Sequence, residues 1–472
     1  MLLLYSVIQN ICIKMINKVI FIYCVMLFTS VNTFAQTFQI SPQNNLQKIL
    51  DNSRDGDILE LENGTYLGNF VIKKAITLMS KANNKVIIDA QGKGNALLLK
   101  SSNITVQNLT IINWGSDLTA QNAGIYSNKN NNIIIKNNKL HGDAFGMWLQ
   151  KAKYIKVLNN TVVGNTKLRS ADRGNGIQLS SVTHSRIYKN ETYNVRDGLY
   201  VIASKNDIIE ANQLHDLRYG IHYMYSYDNT VINNNAYNTR AGYALMSSKR
   251  LTIDGNKTTN SEDYGFLLNF ITQSTFTNNQ IKNVWVKPEH KVSGRDGKGL
   301  FVYNSGYNTI AYNRIEHAEI GIHLTAGSEK TKVYGNSFIN NPTQVKYVVN
   351  REEEWSKDGK GNYWSNYLGW DMNNDSIGDV AFEPNDGIDK LVWQYPEMKM
   401  IMDSPAIIIL RWVQRQFPVL KPPGVKDSFP LMHEPTLYKP KIVQARQHKD
   451  KQALANNHNL VHTNAPSAAE QH

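Results

Sequence analysis

The sequence predicts an all-β fold, a right-handed parallel β-helix solenoid with an N-terminal cap and an irregular or helical C-terminal region. Three observations carry the prediction. Glycine recurs at Gly124, Gly146, Gly176, Gly198, Gly220, Gly242, Gly265, Gly299 and Gly321, mostly at intervals of 22 or 23 residues. Fourteen residues after the glycine stands an asparagine in nearly every unit, at Asn138, Asn160, Asn190, Asn212, Asn234, Asn256, Asn279 and Asn313, with Asn336 displaced by one. Residues one and three after the glycine are mostly apolar, as in Ile177 and Leu179, Leu199 and Val201, or Ile322 and Leu324, the pattern of a strand with one buried face. Coils stacked about 4.8 Å apart satisfy all three: the backbone pairs between coils, inward aliphatic side chains fill one core, and equivalent asparagines form a ladder at the turns. The asparagines are expected to tolerate left-handed angles there, and the glycines to mark tight bends.

Taken in chain order, the first element is an export signal over residues 1–35. Lys14 and Lys18 precede the apolar run VIFIYCVMLF, and Thr33 and Ala35 suit cleavage before Gln36. Met15 opens a more ordinary signal than the residues before it. The run falls short of the roughly 20 apolar residues a membrane span needs. Cys12 and Cys24 are the only two cysteines, so the exported chain has no thiol for disulfide, catalysis or metal binding. A short helix after Ser41 is expected to cover the open end of the core, followed by looser first coils. The intervals 146–176 and 265–299 carry about 8 and 12 extra residues, TKLRSADRGN and NVWVKPEHKVSGRDGK, which would project from one side and wall a groove. The rhythm ceases near Val349, so the solenoid is assigned to 36–349, a capping and partner-docking region to 350–438, and a disordered polar tail to 439–472. Its histidines, His448, His458, His462 and His472, are too dispersed to define a site. The formal charge of +12 comes with no nucleic-acid-binding motif, so no nucleic-acid partner is expected.

If residues one and three after glycine face inward, residues two and four face outward. In the unit starting at Gly220 these are His222 and Met224, and the next coil sets Met246 beside Met224. Thioether and imidazole favour copper(I), which makes His222, Met224 and Met246 a candidate copper site. The same outward column reads Tyr126, Trp148, Gln178, Tyr200, His222, Ala244, Leu267, Phe301 and His323. So apolar a strip equally describes a protein-docking face with no metal.

Two further groups are candidates for chemistry. His141 and Asp143, Arg196 and Asp197, His215, Asp216 and Arg218, and His317 and Glu319 precede repeat glycines, with His290, Arg295 and Asp296 in the longer insertion. Histidines beside carboxylates could serve a secreted polysaccharide lyase or hydrolase, or simply satisfy turns. In DMNNDSIGD, Asp371, Asn373, Asp375 and Asp379 alternate like a calcium loop, with the Ile377 carbonyl between them. Ser376 replaces the glycine wanted at the bend and Phe382 the twelfth-position glutamate, so an Asp- and Asn-rich turn is the competing reading.

The block GNYWSNYLGWDMNNDSIGDVAFEPNDGIDKLVWQYP, followed by SPAIIILRWVQRQFPVLKPPGVKDSFPLM, resembles the NosD-type periplasmic maturation proteins of nitrous-oxide reductase. The resemblance extends over the export signal, the carbohydrate-binding-and-sugar-hydrolase-like β-helix repeats and this C-terminal region. It implies a non-enzymatic periplasmic protein, associated with the inner membrane through a permease. Its partners would be an ABC-type permease and ATPase, nitrous-oxide reductase and a copper chaperone. Its task would be assembly of the reductase's tetranuclear copper-sulfur centre, with copper as a transient cofactor. It carries no ligand motif onto particular residues. Residues 396–424 join Met398, Met400 and Met402 to an apolar run with Arg411, Trp412 and Arg415, suited to lie at an interface or against a permease, or to pack over the last coil. Pro418, Pro422 and Pro423 end that segment.

Overall fold

Each coil stacks on the one before it in parallel register, so that Leu199 pairs with Ile177 and Ile221, and Val201 with Leu179 and Tyr223. The computed structural model describes residues 35–81, 85–292, 294–325, 327–349, 351–402, 404–417 and 422–436; the export signal before Ala35, Pro418 and the expected tail at 439–472 lie outside them. Among the described residues the coils build a 13-stranded and a 22-stranded parallel sheet. These wrap a single column of buried side chains running from Ile40 to Val425. The expected parallel β-helix is therefore the fold.

Both ends of the column are closed. Helix α1, Leu46–Asn52, is capped by the Asn45 side chain and lays Leu46 and Leu50 onto the first coils. At the other end Phe338, Trp355 and Trp364 form an aromatic stack, with ring centroids 4.4 Å apart for Phe338 and Trp364 and 6.2 Å for the two indoles. The strand Val425–Lys426 pairs with Glu353–Glu354 beside it. Helix α2, Gly387–Gln394, opens on a capping box between Asp386 and Asp389 and packs Ile388 and Val392 inward. Lys390 Nζ reaches the Val349 carbonyl at 3.2 Å and the Asn385 side chain the Val345 carbonyl at 2.7 Å, which fastens this helix to the last coil. Helix α3, Pro405–Gln416, follows a 3-10 turn over Pro396–Ile401 and is clasped to α2 by Arg411, which bonds Asp386 and, at 2.8 Å, Asp389.

The asparagine ladder is continuous. Asn190 donates its backbone N–H and its Nδ2 to Asn212 Oδ1 at 2.9 and 3.0 Å, and Asn212 does the same to Asn234 at 3.0 and 2.8 Å. Each side chain also donates to a carbonyl in the preceding coil, as Asn212 does to Ile187 at 3.0 Å. The column passes Asn336 and continues beyond Val349 to Asn362, whose amide donates to Asp427 Oδ2 at 2.7 Å. Burial explains why asparagine serves: one side-chain amide satisfies two donors and two acceptors that water cannot reach.

Two local expectations are corrected. The ladder asparagines do not take the left-handed angles; the residues just before them do, Asn137, Asn159, Lys189, Ala211 and Asn233 having φ of 53–58°. The preceding residue turns the corner, and the buried asparagine spans the coils. Nor are the repeat glycines bends. They lie within or beside strands, and a Cβ on Gly220 would stand 2.5 Å from the Gly242 carbonyl oxygen, with the same clash at 2.7 Å from Gly198 to Gly220. Glycine is required because successive backbones approach closely.

Candidate functional site

The outward column is assembled as its register implies: Tyr126, Trp148, Gln178, Tyr200, His222, Ala244, Leu267, Phe301 and His323 are successive partners. Ile221 and Tyr223 point into the core, which turns His222 and Met224 to the other face. Met224 and Met246 are direct register partners, and Tyr200 Oη donates to Met224 Sδ at 3.2 Å.

His222 is only 7% exposed and is held from three sides. Its Nδ1 lies 3.0 Å from Asp197 Oδ2, and the rings of Tyr200 and Tyr219 meet it edge-on with centroids 4.5 and 5.2 Å away. Arg218 engages Asp197 from the other side with two bonds of 2.8 and 2.5 Å. Burial works to raise the Asp197 carboxyl, but the hydrogen bonds from His222 and Arg218 hold it below the ordinary carboxylate range. A carboxylate only accepts, so Nδ1 carries the proton and directs the other ring nitrogen away. That nitrogen, Nε2, is buried with no hydrogen-bond partner. His222 lines a cavity of about 390 Å³ together with Trp148, Asn175, Arg196 and Tyr200, whereas Met224 and Met246 are not among the lining residues.

The two insertions wall a larger groove of about 1020 Å³, as their length implied. Ser170 and Arg173 stand on one side, Trp285 and Lys287 on the other, and Arg196, Arg218 and Arg240 form a row along the floor. The expected histidine-carboxylate constellations are dispersed and engaged. Asp216 is exposed and bonds His215 Nδ1 at 2.7 Å, while His215 is stacked between Tyr193 and Tyr237 at 4.8 and 4.6 Å. Asp263 receives Arg240 and Arg295, Glu262 receives His290 at 2.5 Å, and Glu319 receives Lys291 at 2.7 Å. Asp143 takes a hydrogen bond from Asn165, and Trp285 Nε1 donates to the His317 carbonyl at 2.6 Å. Among the described residues no pair of free carboxylates faces the groove in the manner glycoside cleavage requires.

His323 is partly buried beside Phe301, and the loss of water around it together with Lys346 and Lys298 pushes its imidazole down to about 3. It is therefore neutral at physiological pH. The DMNNDSIGD loop folds on itself. Asp371 accepts the amides of Asn374, Asp375 and Ser376, Asp375 accepts that of Ile377 at 2.8 Å, and Asp379 that of Met372 at 2.8 Å. Asn373 Nδ2 donates to Asp375 at 3.0 Å. Among the described residues no three His, Cys, Asp or Glu side chains converge as a metal site.

Sequence pattern placed His222 outward but did not show that Asp197 and Arg218 lock it. The available signal was positional: Asp197 pairs with Tyr219 and is the one carboxylate beside the repeat glycine in that column of coils.

A family model described as "Periplasmic copper-binding protein (NosD)" matches residues 158–369. A "Probable ABC transporter binding protein NosD" of Stutzerimonas stutzeri is 47% identical over 377 residues, 79% of this chain and 86% of that one. Its counterpart in Pseudomonas aeruginosa is 49% identical over 385 residues, 81% of this chain and 90% of that one. Among solved structures the Dettilon tailspike protein aligns with a TM-score of 0.53 at 15% identity, over 68% of this chain and 70% of that one, which shows the shared solenoid alone. The chain belongs to the NosD family of periplasmic proteins. NosD-type proteins are typically non-catalytic accessory proteins of transport.

Proposed function

We propose that the protein is a periplasmic accessory factor that works with an ABC-type permease and ATPase in building the copper-sulfur centre of nitrous-oxide reductase, and that it handles copper(I) itself. The observation that carries this reading is the identity of nearly half over four-fifths of the chain with relatives named as transporter-binding proteins, matched also by a family described as copper-binding. The copper site proposed is His222, Met224 and Met246. It is supported by the register pairing of the two methionines and by an imidazole whose Nδ1 is fixed on a carboxylate, an arrangement that orients Nε2 as a ligand. A copper chaperone would donate the ion. Without a thiolate the ion stays exchangeable, which suits transfer.

The docking region proposed for the permease is α3 with the turn before it. Ile408, Ile409, Leu410, Trp412 and Phe417 are exposed, and Met400 is 91% exposed. No helix among the described residues is long and apolar enough to cross a membrane, so the association would be peripheral. In this reading 36–349 is the copper-handling solenoid and 350–438 the capping and docking region.

Deleting the gene in a nitrous-oxide-respiring host should leave the reductase exported but lacking its copper-sulfur centre; full assembly without the protein would refute the proposal. The ligands are tested separately, by anaerobic copper(I) titration with X-ray absorption. Sulfur scattering is expected in the wild type and should be lost in the Met224→Ala, Met246→Ala double variant. An unchanged sulfur shell would discard these ligands while leaving the accessory role standing.

A further inference from the structure

We propose that the cavity beside His222 is a binding site for a small inorganic anion of the oxoanion or thio-oxoanion class, held chiefly by Arg173 and Arg196.

The argument begins with charge. Arg218, Arg240 and Arg295 along the groove each meet a carboxylate. Arg173 and Arg196 do not. Arg173 donates only to backbone carbonyls, at 2.6 and 2.9 Å to Leu168 and 3.0 Å to Asn194, and among the described residues neither guanidinium has an ion-pair partner. The sole carboxylate lining the cavity, Asp197, is already spent on Arg218 and His222. The cavity therefore holds two positive charges with no counter-charge, inside walls where a field is poorly screened.

The second observation is hydrogen-bonding capacity. Four side chains that line this cavity carry a buried polar atom with no partner: Trp148 Nε1, Asn175 Oδ1, Arg196 Nε and His222 Nε2. Buried polar groups are almost always paired, and each unpaired one costs about 1–3 kcal/mol. All four belong to residues that line one cavity of about 390 Å³. Two of the four, the indole and the guanidinium nitrogens, are obligate donors that an accepting ligand would satisfy, whereas Asn175 Oδ1 and His222 Nε2 are acceptors and take no part in holding an anion. The cavity has room for an inorganic anion together with its hydrating water, and Arg173, Arg196 and Arg218 line the larger groove as well, giving an entry path.

The inference goes beyond the copper reading and does not require it. The test is isothermal titration of the metal-free, processed full chain with sodium sulfate and, separately, sodium thiosulfate in chloride buffer. Saturable one-site binding of at least one is expected, the ratio of the two reporting whether an oxygen or a sulfur terminus is preferred. Arg196→Gln should weaken it by roughly tenfold or more, Arg173→Gln should weaken it too, and Arg196→Lys should retain part of it. Arg314→Gln, at a guanidinium already paired with Glu316 elsewhere on the solenoid, should leave it unchanged. The copper double variant Met224→Ala, Met246→Ala should bind the anion as the wild type does, so failure of one reading is distinguishable from failure of the other. An absence of saturation with both anions, or equal loss in Arg314→Gln, would overturn the proposal; circular dichroism of Arg196→Lys and Arg196→Gln confirms that the comparison is between folded proteins.

Discussion

Asp207 occupies a position in which the neighbouring coils place Ser185 and Asn229. Its Oδ1 accepts the Ser185 amide at 2.8 Å, and its own amide donates to Asn229 Oδ1 at 2.8 Å, but its Oδ2 is buried and unpartnered. Burial pushes this carboxyl up to about 8, with the Ser185 hydrogen bond opposing. A raised folded pKa means that the native state binds the proton more tightly than the unfolded chain. The resulting stabilisation is greatest at acid pH, falls as pH rises from about 4, and is gone once pH passes 8. Asn229 shows what an amide does in this column, donating to the Ser204 carbonyl at 3.2 Å. Asp207→Asn should therefore flatten the pH dependence of unfolding and stabilise the protein by about 1–2 kcal/mol above pH 8, read from urea titrations across pH 5–9. Asp427 behaves similarly: burial, opposed by bonds from Trp364 and Asn362, raises it to about 6, so closure of the C-terminal end should loosen as pH rises through that value. Hydrogen exchange at the Asn362 and Trp364 amides would report it.

The coils were readable because three spacings repeat in step. What the pattern could not convey was the division of labour at each corner. An Asn-Asn pair such as Asn159-Asn160 does not say which residue turns and which is buried, and glycine reads alike as a bend or as a close backbone approach. Both distinctions follow from the stacking geometry, which is a property of neighbouring coils. Asn212→Ala would strip Oδ1 from two donors of Asn190 and Nδ2 from the Ile187 carbonyl, so a loss of about 2–3 kcal/mol is expected in chemical denaturation. Gly220→Ala tests the second point: with 2.5 Å to the Gly242 oxygen, the coils must part locally, and a cost of about 1–3 kcal/mol should appear although φ there suits alanine. The Asp371–Asp379 loop was ambiguous between calcium and a self-bonded turn. Its amides take up the carboxylates, so chelating divalent cations should leave the melting temperature unchanged; a drop on adding EDTA would restore the calcium reading.

At the scale of the molecule, the candidate site was legible only in part. Period two turned His222 and Met224 outward and adjacency joined Met246, but the bond between Asp197 and Arg218 is made by side chains of neighbouring strands, and the unpaired Arg173 arrives on the first inserted segment, whose path no periodicity describes. The C-terminal region was recognised by resemblance, and its packing is a matter of tertiary structure: α2 fastens to the last coil, and α3 rides on α2 with Ile407 buried and Ile408, Ile409, Leu410 and Trp412 outward. Removing residues 396–417 should accordingly leave the β spectrum and the thermal stability of the solenoid intact while abolishing co-purification with the permease and ATPase; retained association would move the contact to the solenoid.

The parallel stacking also makes the solenoid a ruler. From His222 the outward column steps through Ala244, Leu267, Phe301 and His323 to Lys346, the coil to which α2 is fastened through the adjacent Val345 carbonyl. Five steps of about 4.8 Å fix the distance between that imidazole and the helical end at roughly 24 Å. Length on this axis changes only in whole coils, because a partial one would break the asparagine column. A protein lengthened by one duplicated unit would keep every local contact around His222 and around α3 and yet hold them one coil farther apart. If cargo must be presented at a set height above a membrane partner, that variant would fold, bind each partner singly, and fail only when both are required at once.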